Sequence, residues 1–203
     1  MTVFKDMDIL DLDTLPGIAK IVLMETTQST QETARSLALE GNAEKTLVLA
    51  LSQTAGIGRM GRSWESGGGG IYMTLILKPI VGLRFLRDLS VLTGRVAADT
   101  LKQLYGLNAR VKRPNDIYAL HPQKKKYLKI AGILTESASI NKTPNWILLG
   151  IGINLNNSVS LDTAVSVSEI LKKEVSREEF LKAFFYNFWQ IYSAWEYSSQ
   201  SKS

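Results

Sequence analysis

The chain has 203 residues, with 24 Lys and Arg against 19 Asp and Glu, one His and no Cys. Its formal charge of +5, with 45% hydrophobic and 21% charged residues, is that of an ordinary globular protein large enough to bury one sizeable core. That composition excludes disulfides, cysteine-based zinc or iron–sulfur sites and thiolate nucleophiles, and it is not that of a disordered or coiled-coil chain.

The first residues, Met1 to Gly17, are acidic and interrupted by Pro16, unlike a secretory or transit peptide. No apolar run approaches the roughly 18 residues of a membrane span, so a soluble, cytoplasmic protein is expected. Lys20 to Met24 reads as a short strand. Ser29 with Glu32 forms a capping-box signature that predicts a helix from about Thr30 to Glu40. Thr46 to Leu51 is a nearly continuous apolar run, a buried strand, and Ile71 to Leu77 is another strand. Between them, Gln53 to Gly70 is irregular and rich in glycine.

Leu86, Leu89, Leu92, Val96, Leu101 and Leu104 recur at helical spacing and predict a long helix ending near Gly106. Val111, Ile117 to Tyr118, Leu128 to Leu134 and Trp146 to Leu155 are further strand candidates, with a turn at Asn141 to Pro144. His121 and the run Lys124 to Lys126 read as a solvated loop. Ser176 with Glu179 opens a final helix whose apolar face is Phe180, Phe184, Phe188, Ile191 and Trp195, a pattern of core residues. Strands and helices interleave without strict alternation, and no composition shift marks a boundary. The expectation is a single unit, residues 1–203, with helices packed on a mixed β-sheet.

Chemistry concentrates in three places. Gly56, Gly58 and Gly61 satisfy G-x-G-x-x-G, but no helix pattern follows and Lys78-Pro79 stands where a dinucleotide fold needs an acid, so that reading fails its context. Closely spaced glycines with Arg59 and Arg62 instead suit an anion, met by backbone N–H groups and guanidinium forks, and Trp64 suits a flat ring. Such a loop would order over a ligand as a lid. In Lys112-Arg113-Pro114-Asn115-Asp116 a lysine, an amide and a carboxylate share one turn, a set suited to phosphate, ribose and a magnesium ion. Lys129 enters an apolar strand, which is costly unless an anion meets it. Gly150-Ile151-Gly152-Ile153-Asn154 allows close backbone approach and ends on an amide.

These blocks resemble the biotin protein ligases: Ser29-Thr30-Gln31, Gln53 through Trp64, Lys112 to Asp116, Lys129 to Leu134 with Glu136, and Gly150 to Asn154 follow the family's order. Ala164 to Val167 is a weaker echo of a further segment. The resemblance implies an α+β fold, a mixed sheet packed with helices like that of class II synthetases. It also implies ATP and biotin as substrates with Mg2+, activation of biotin as biotinyl-5'-adenylate, and transfer to a lysine of a biotin carboxyl carrier protein.

By the same resemblance Ser29, Thr30, Gln31, Gln53, Ile57, Gly58, Arg59, Lys129 and Gly132 would meet biotin. Arg59, Arg62, Trp64, Lys112, Asn115, Asp116 and Asn154 would meet ATP, with Trp64 on the adenine side, and Asp116 would meet the metal. Lys129, Arg59 and Lys112 would carry catalysis by charge stabilisation, with no nucleophile on the enzyme. The family's loop usually reads G-R-G-R-R-G-R; here Ile57 and Met60 replace two arginines, and Arg113 replaces a tryptophan. An N-terminal helix-turn-helix domain and a C-terminal SH3-like barrel, both found in larger members, are expected to be absent. Neither nucleic acid nor membrane is an expected partner, and both a monomer and a homodimer are compatible with the sequence. Three alternatives remain: a lipoate or octanoate ligase or transferase of related fold, a non-catalytic nucleic-acid-binding module suggested by the positive charge, and an inactive scaffold that binds biotin without transferring it.

Overall fold

The computed structural model describes residues 15–140 and 143–200. Most of the acidic start and positions 141 and 142 of the expected turn lie outside the described residues. Within them seven strands form one mixed sheet: β1 (Lys20–Thr27), β2 (Thr46–Gln53), β3 (Ile71–Leu77), β4 (Ala109–Lys112), β5 (Asp116–His121), β6 (Lys126–Ile140) and β7 (Thr143–Ile153). The α-helices are α1 (Thr30–Leu39), α2 (Leu86–Tyr105), α3 (Val167–Leu171) and α4 (Arg177–Gln200). The sheet order is β1-β2-β3-β7-β6-β5-β4, with β1 and β2 parallel and every other neighbouring pair antiparallel. This is the expected mixed sheet packed with helices, and Thr143 and Pro144 belong to β7 rather than to a turn.

The two faces of the sheet do different work. Leu47, Leu49, Met73, Leu75, Ile133, Leu149 and Ile151 share the main core with the apolar faces of α2 and α4. Alternation along the strands sends their neighbours to the other face. There Val48, Ile76 and Leu148 meet Ala34 and Ala38 of α1. α1 covers only part of that second face, and the remainder is open to form a site.

Helix ends follow their local signals. Ser29 caps α1 by accepting from the Gln31 N–H at 3.2 Å, and Gly106 ends α2 with φ +66°, a conformation costly for a residue with a Cβ. Ser176 Oγ accepts from the Glu179 N–H at 3.1 Å at the start of α4. Phe180, Phe184, Phe188, Tyr192 and Trp195 then make a continuous aromatic ladder along that helix. Truncating fully buried Phe184 to Ala would cost about 3–5 kcal/mol.

Two further local expectations need correction. Ile191 is exposed, and Tyr192 takes its place on the buried face, because the ladder continues at i, i+4 from Phe188. His121 is no loop residue: it ends β5 and is buried, its Nδ1 accepts from the Lys124 N–H at 3.3 Å, and its Nε2 lies 3.4 Å from Glu169.

Candidate active site

The open part of the second face is a cavity of about 290 Å³. Strand register explains its floor. Asp116 pairs with Gly132, Gly132 with Gly152, and Gly152 with Tyr72, a row running across β5, β6, β7 and β3. Two residues further along the strands, Leu134 pairs with Gly150 and Gly150 with Thr74. The glycines leave room on the sheet that other side chains fill. A Cβ on Gly152 would stand 2.5 Å from Trp64 Nε1, and one on Gly132 would stand 3.2 Å from Trp64 Cζ3, so the indole lies directly on these two residues. A Cβ on Gly150 would stand 2.4 Å from Gln31 Oε1.

At one end of the cavity a hydrogen-bonded network joins the start of α1 to β2 and the loop that follows it. The Thr30 N–H and hydroxyl both donate to Gln53 Oε1, at 2.8 and 3.1 Å. Gln53 Nε2 donates to Ser66 Oγ at 2.7 Å, and that hydroxyl donates to the Trp64 carbonyl at 3.0 Å. Ser29, Thr30 and Gln31 are all buried although polar, a cost that partners must offset. Gln31 Nε2 and Trp64 Nε1 are buried without a hydrogen-bond partner among the described residues, and both belong to residues that line the cavity.

At the other end Lys129 Nζ lies 2.8 Å from Asp116 Oδ1 and 5.1 Å from the centre of the Trp64 ring. Simple alternation would put Lys129 with Ala131 and Ile133 on the core face. A bulge prevents this: Ile117 pairs with Ala131 but Tyr118 with Lys129, so Ile130 is an extra residue and Lys129 turns to the cavity. The ammonium thus sits beside the glycine floor, with both Lys129 and Asp116 partly exposed.

The glycine–arginine loop closes the rim. The Gly58 N–H donates to the Arg62 carbonyl and the Trp64 N–H to the Gly56 carbonyl. Met60 holds φ +58° and is exposed at the tip. Arg59 Nη1 reaches across to Asn115 Oδ1 at 2.8 Å, and Asn115 Nδ2 donates to the Ile133 carbonyl at 3.0 Å. Glu65 accepts from the Ser160 N–H and hydroxyl, tying this loop to the segment after β7. On that segment Ala164, shortly before α3, pairs with Lys129 in an isolated bridge.

The structure gathers around this cavity all but one of the positions that the sequence assigns to the site: Ser29, Thr30, Gln31, Gln53, Ile57, Gly58, Arg59, Arg62, Trp64, Asn115, Asp116, Lys129, Gly132 and Asn154 line it. Lys112 does not. It pairs with Asp116 from the edge strand β4, and its Nζ stands 5.0 Å over the ring of Tyr118, which does line the cavity. Thr74 and Tyr118 are lining residues that no sequence motif announces. A threonine in the otherwise apolar centre of Ile71–Leu77 is the one signal available for the first. Tyr72 lines the cavity too, and burial raises its phenol far above the usual range, consistent with its hydroxyl donating to the Gly67 carbonyl at 2.6 Å.

A model of the biotin/lipoate A/B protein ligase family matches residues 23–154. The chain belongs to this family. Among curated members it is 34% identical to the bifunctional ligase/repressor BirA of Bacillus subtilis, over 77% of this chain and 49% of that protein. It is 36% identical to a biotin–[acetyl-CoA-carboxylase] ligase of Paracoccus denitrificans, over 66% of this chain and 53% of that protein. The chain thus spans about half the length of these family relatives. The biotin protein ligase from Aquifex aeolicus, solved in complex with biotin and ATP, superposes with a TM-score of 0.75 at 26% identity, covering 90% of this chain and 74% of that one. The shared fold is that of the family's biotin ligases. Among the described residues no helix is long and apolar enough to cross a membrane.

Proposed function

We propose that this chain is an ATP-dependent biotin ligase. A single observation carries the reading: one cavity joins a polar pocket at Ser29, Thr30, Gln31 and Gln53 to a cationic end at Arg59, Arg62 and Lys129, across a floor of glycines. A bicyclic urea suits the first end, and a carboxylate meeting a triphosphate suits the second. The similar protein from Aquifex aeolicus, bound to biotin and ATP, supports the same pairing.

In the proposed reaction a biotin carboxylate oxygen attacks the α-phosphorus of ATP, and the bond from that phosphorus to the oxygen bridging the α- and β-phosphates breaks to release pyrophosphate. The amine of a carrier lysine then attacks the acyl carbon, loses a proton, and displaces AMP. Lys129 would hold the carboxylate and α-phosphate together and stabilise charge as it develops. Arg59 and Arg62 would hold phosphate oxygens from the rim, and Lys112 would contribute from the edge strand. Asn115 and Asn154 would meet the nucleotide. Trp64, lying on Gly132 and Gly152 beside Lys129, would wall the channel between the two substrates, with its ring on the adenine side.

Magnesium fits this donor set as a guest of the nucleotide. Among the described residues no three His, Asp or Glu side chains cluster for a metal, and Asp116 offers one carboxylate, enough for an ion already held by phosphates. Such an ion would neutralise phosphate charge. The acceptor would be a biotin carboxyl carrier domain.

Incubation with ATP, magnesium and either biotin or lipoate, followed by analysis of the acyl-adenylate and of a carrier domain, tests the proposal. Biotinyl-adenylate and a biotinylated carrier are expected. A lipoyl product alone, or none from folded protein, overturns it.

A further inference from the structure

Thr74 sits in the middle of β3, fully buried, between Val48 of β2 and Gly150 of β7. Its hydroxyl lies 3.0 Å from Thr30 Oγ1 and 3.2 Å from Gln31 Oε1. Thr30's own proton is committed to Gln53 Oε1. The single Thr74 proton is thus directed at two acceptors, Thr30 Oγ1 and Gln31 Oε1, and it is the hydroxyl donation that reaches the Gln31 amide oxygen. The same oxygen rests over the bare Cα of Gly150, where a side chain would collide with it. With the amide oxygen turned to β3 and β7, its nitrogen is left buried and without a partner among the described residues, on a side chain that lines the cavity.

We propose that Thr74 is a positioning residue that sets the polarity of the ring pocket, by holding the Gln31 amide with its nitrogen toward the ligand. The inference rests on the biotin reading above and adds to it a reason for selectivity. A fixed N–H donor favours a carbonyl oxygen and rejects a ligand that presents a donor at the same place. Without the Thr74 hydroxyl the two ends of the amide lose the donor that tells them apart, and the amide can rotate to offer its oxygen instead.

The test compares biotin with 2-iminobiotin, whose protonated imine replaces the urea carbonyl. Dissociation constants are measured by calorimetry for the wild type, Thr74→Val and Thr74→Ser, with thermal unfolding as a check on folding. The wild type is expected to prefer biotin. Thr74→Val should lower that preference roughly tenfold, the worth of one directed hydrogen bond in a buried site, and Thr74→Ser should restore it. Thr74→Ala serves the same purpose if the valine variant does not fold. A wild type with no preference for biotin, or a preference unchanged in folded Thr74→Val or Thr74→Ala, overturns the assignment of Thr74 while leaving the biotin reading intact. A wild type that binds neither compound overturns both.

Discussion

Replacing Gly152 by alanine tests how the site is built. The new Cβ would stand 2.5 Å from Trp64 Nε1, 2.6 Å from Cε2 and 3.0 Å from Cζ2. Ordinary carbon contacts begin near about 3.5 Å, so the indole must move by about 1 Å. The tryptophan cannot retreat as a flexible chain would, because it is a rigid ring whose backbone is pinned to Gly56. If the surroundings resist, overpacking costs roughly 1–3 kcal/mol, seen as a fall in Tm of roughly 2–4 °C for each kcal/mol. If the ring yields, it swings into the channel, and a misplacement of about 1 Å can cost up to roughly 100-fold in activity.

Pyrophosphate exchange in the presence of biotin, read beside thermal unfolding, separates these outcomes. A graded series makes the comparison internal. Gly67→Ala meets nothing within 4 Å and should be silent; Gly132→Ala, at 3.2 Å from Trp64, should be intermediate; Gly152→Ala should be worst. Combining Gly152→Ala with Trp64→Phe should recover part of the loss by shrinking the ring. A Gly152→Ala protein with wild-type Tm, and with exchange rate and biotin KM both within about twofold of wild type, would refute the reasoning.

Lys129→Ala should lower adenylate formation roughly 100- to 1000-fold, the scale for loss of one charge-stabilising group, with little change in Tm; full activity in pyrophosphate exchange would sink the role given to Lys129. Ile57 lines the cavity where the family usually has arginine, so Ile57→Arg should slow biotinyl-adenylate dissociation severalfold, and an unchanged off-rate in a filter-binding assay would count against it. Burial, and next the neighbouring Glu44, raise the Glu196 carboxyl above its ordinary value, while an Ile80 backbone hydrogen bond and Lys45 oppose this. Its stabilising contribution is thus present below the unfolded-state value and is lost as pH rises through the folded-state value. Glu196→Gln should therefore raise Tm at pH 7, with the gain vanishing below about pH 4; a pH-independent difference in Tm would contradict this.

Much of the molecule is legible in the sequence because its signals are local. The Ser29 cap, the leucine spacing of α2, the Gly106 stop and the apolar run at Ile71–Leu77 depend on residues a few positions apart, and each element forms where that spacing places it. The glycine-rich loop and the Lys-Arg-Pro-Asn-Asp turn likewise show in sequence the residue types that suit an anionic, flat-ringed ligand. Periodicity also has limits at short range: one residue of helical phase separates exposed Ile191 from buried Tyr192.

Tertiary structure decided how those segments meet. Antiparallel register aligns Asp116, Gly132 and Gly152 in one row, although they are distant in the chain, and a single extra residue at Ile130 turns Lys129 from the core toward the cavity. Trp64 reads in sequence as a free stacking ring, yet it fills the space that Gly132 and Gly152 leave on the sheet. Thr74 reads as a polar residue in a buried strand, and only pairing beside Gly150 brings its hydroxyl to Thr30 and Gln31. The sequence by itself specified the elements and the chemical inventory, because propensity, capping and period act over a few residues. Strand pairing and the bulge specified the facing of each side chain, because one residue of register reverses which side of a sheet it occupies.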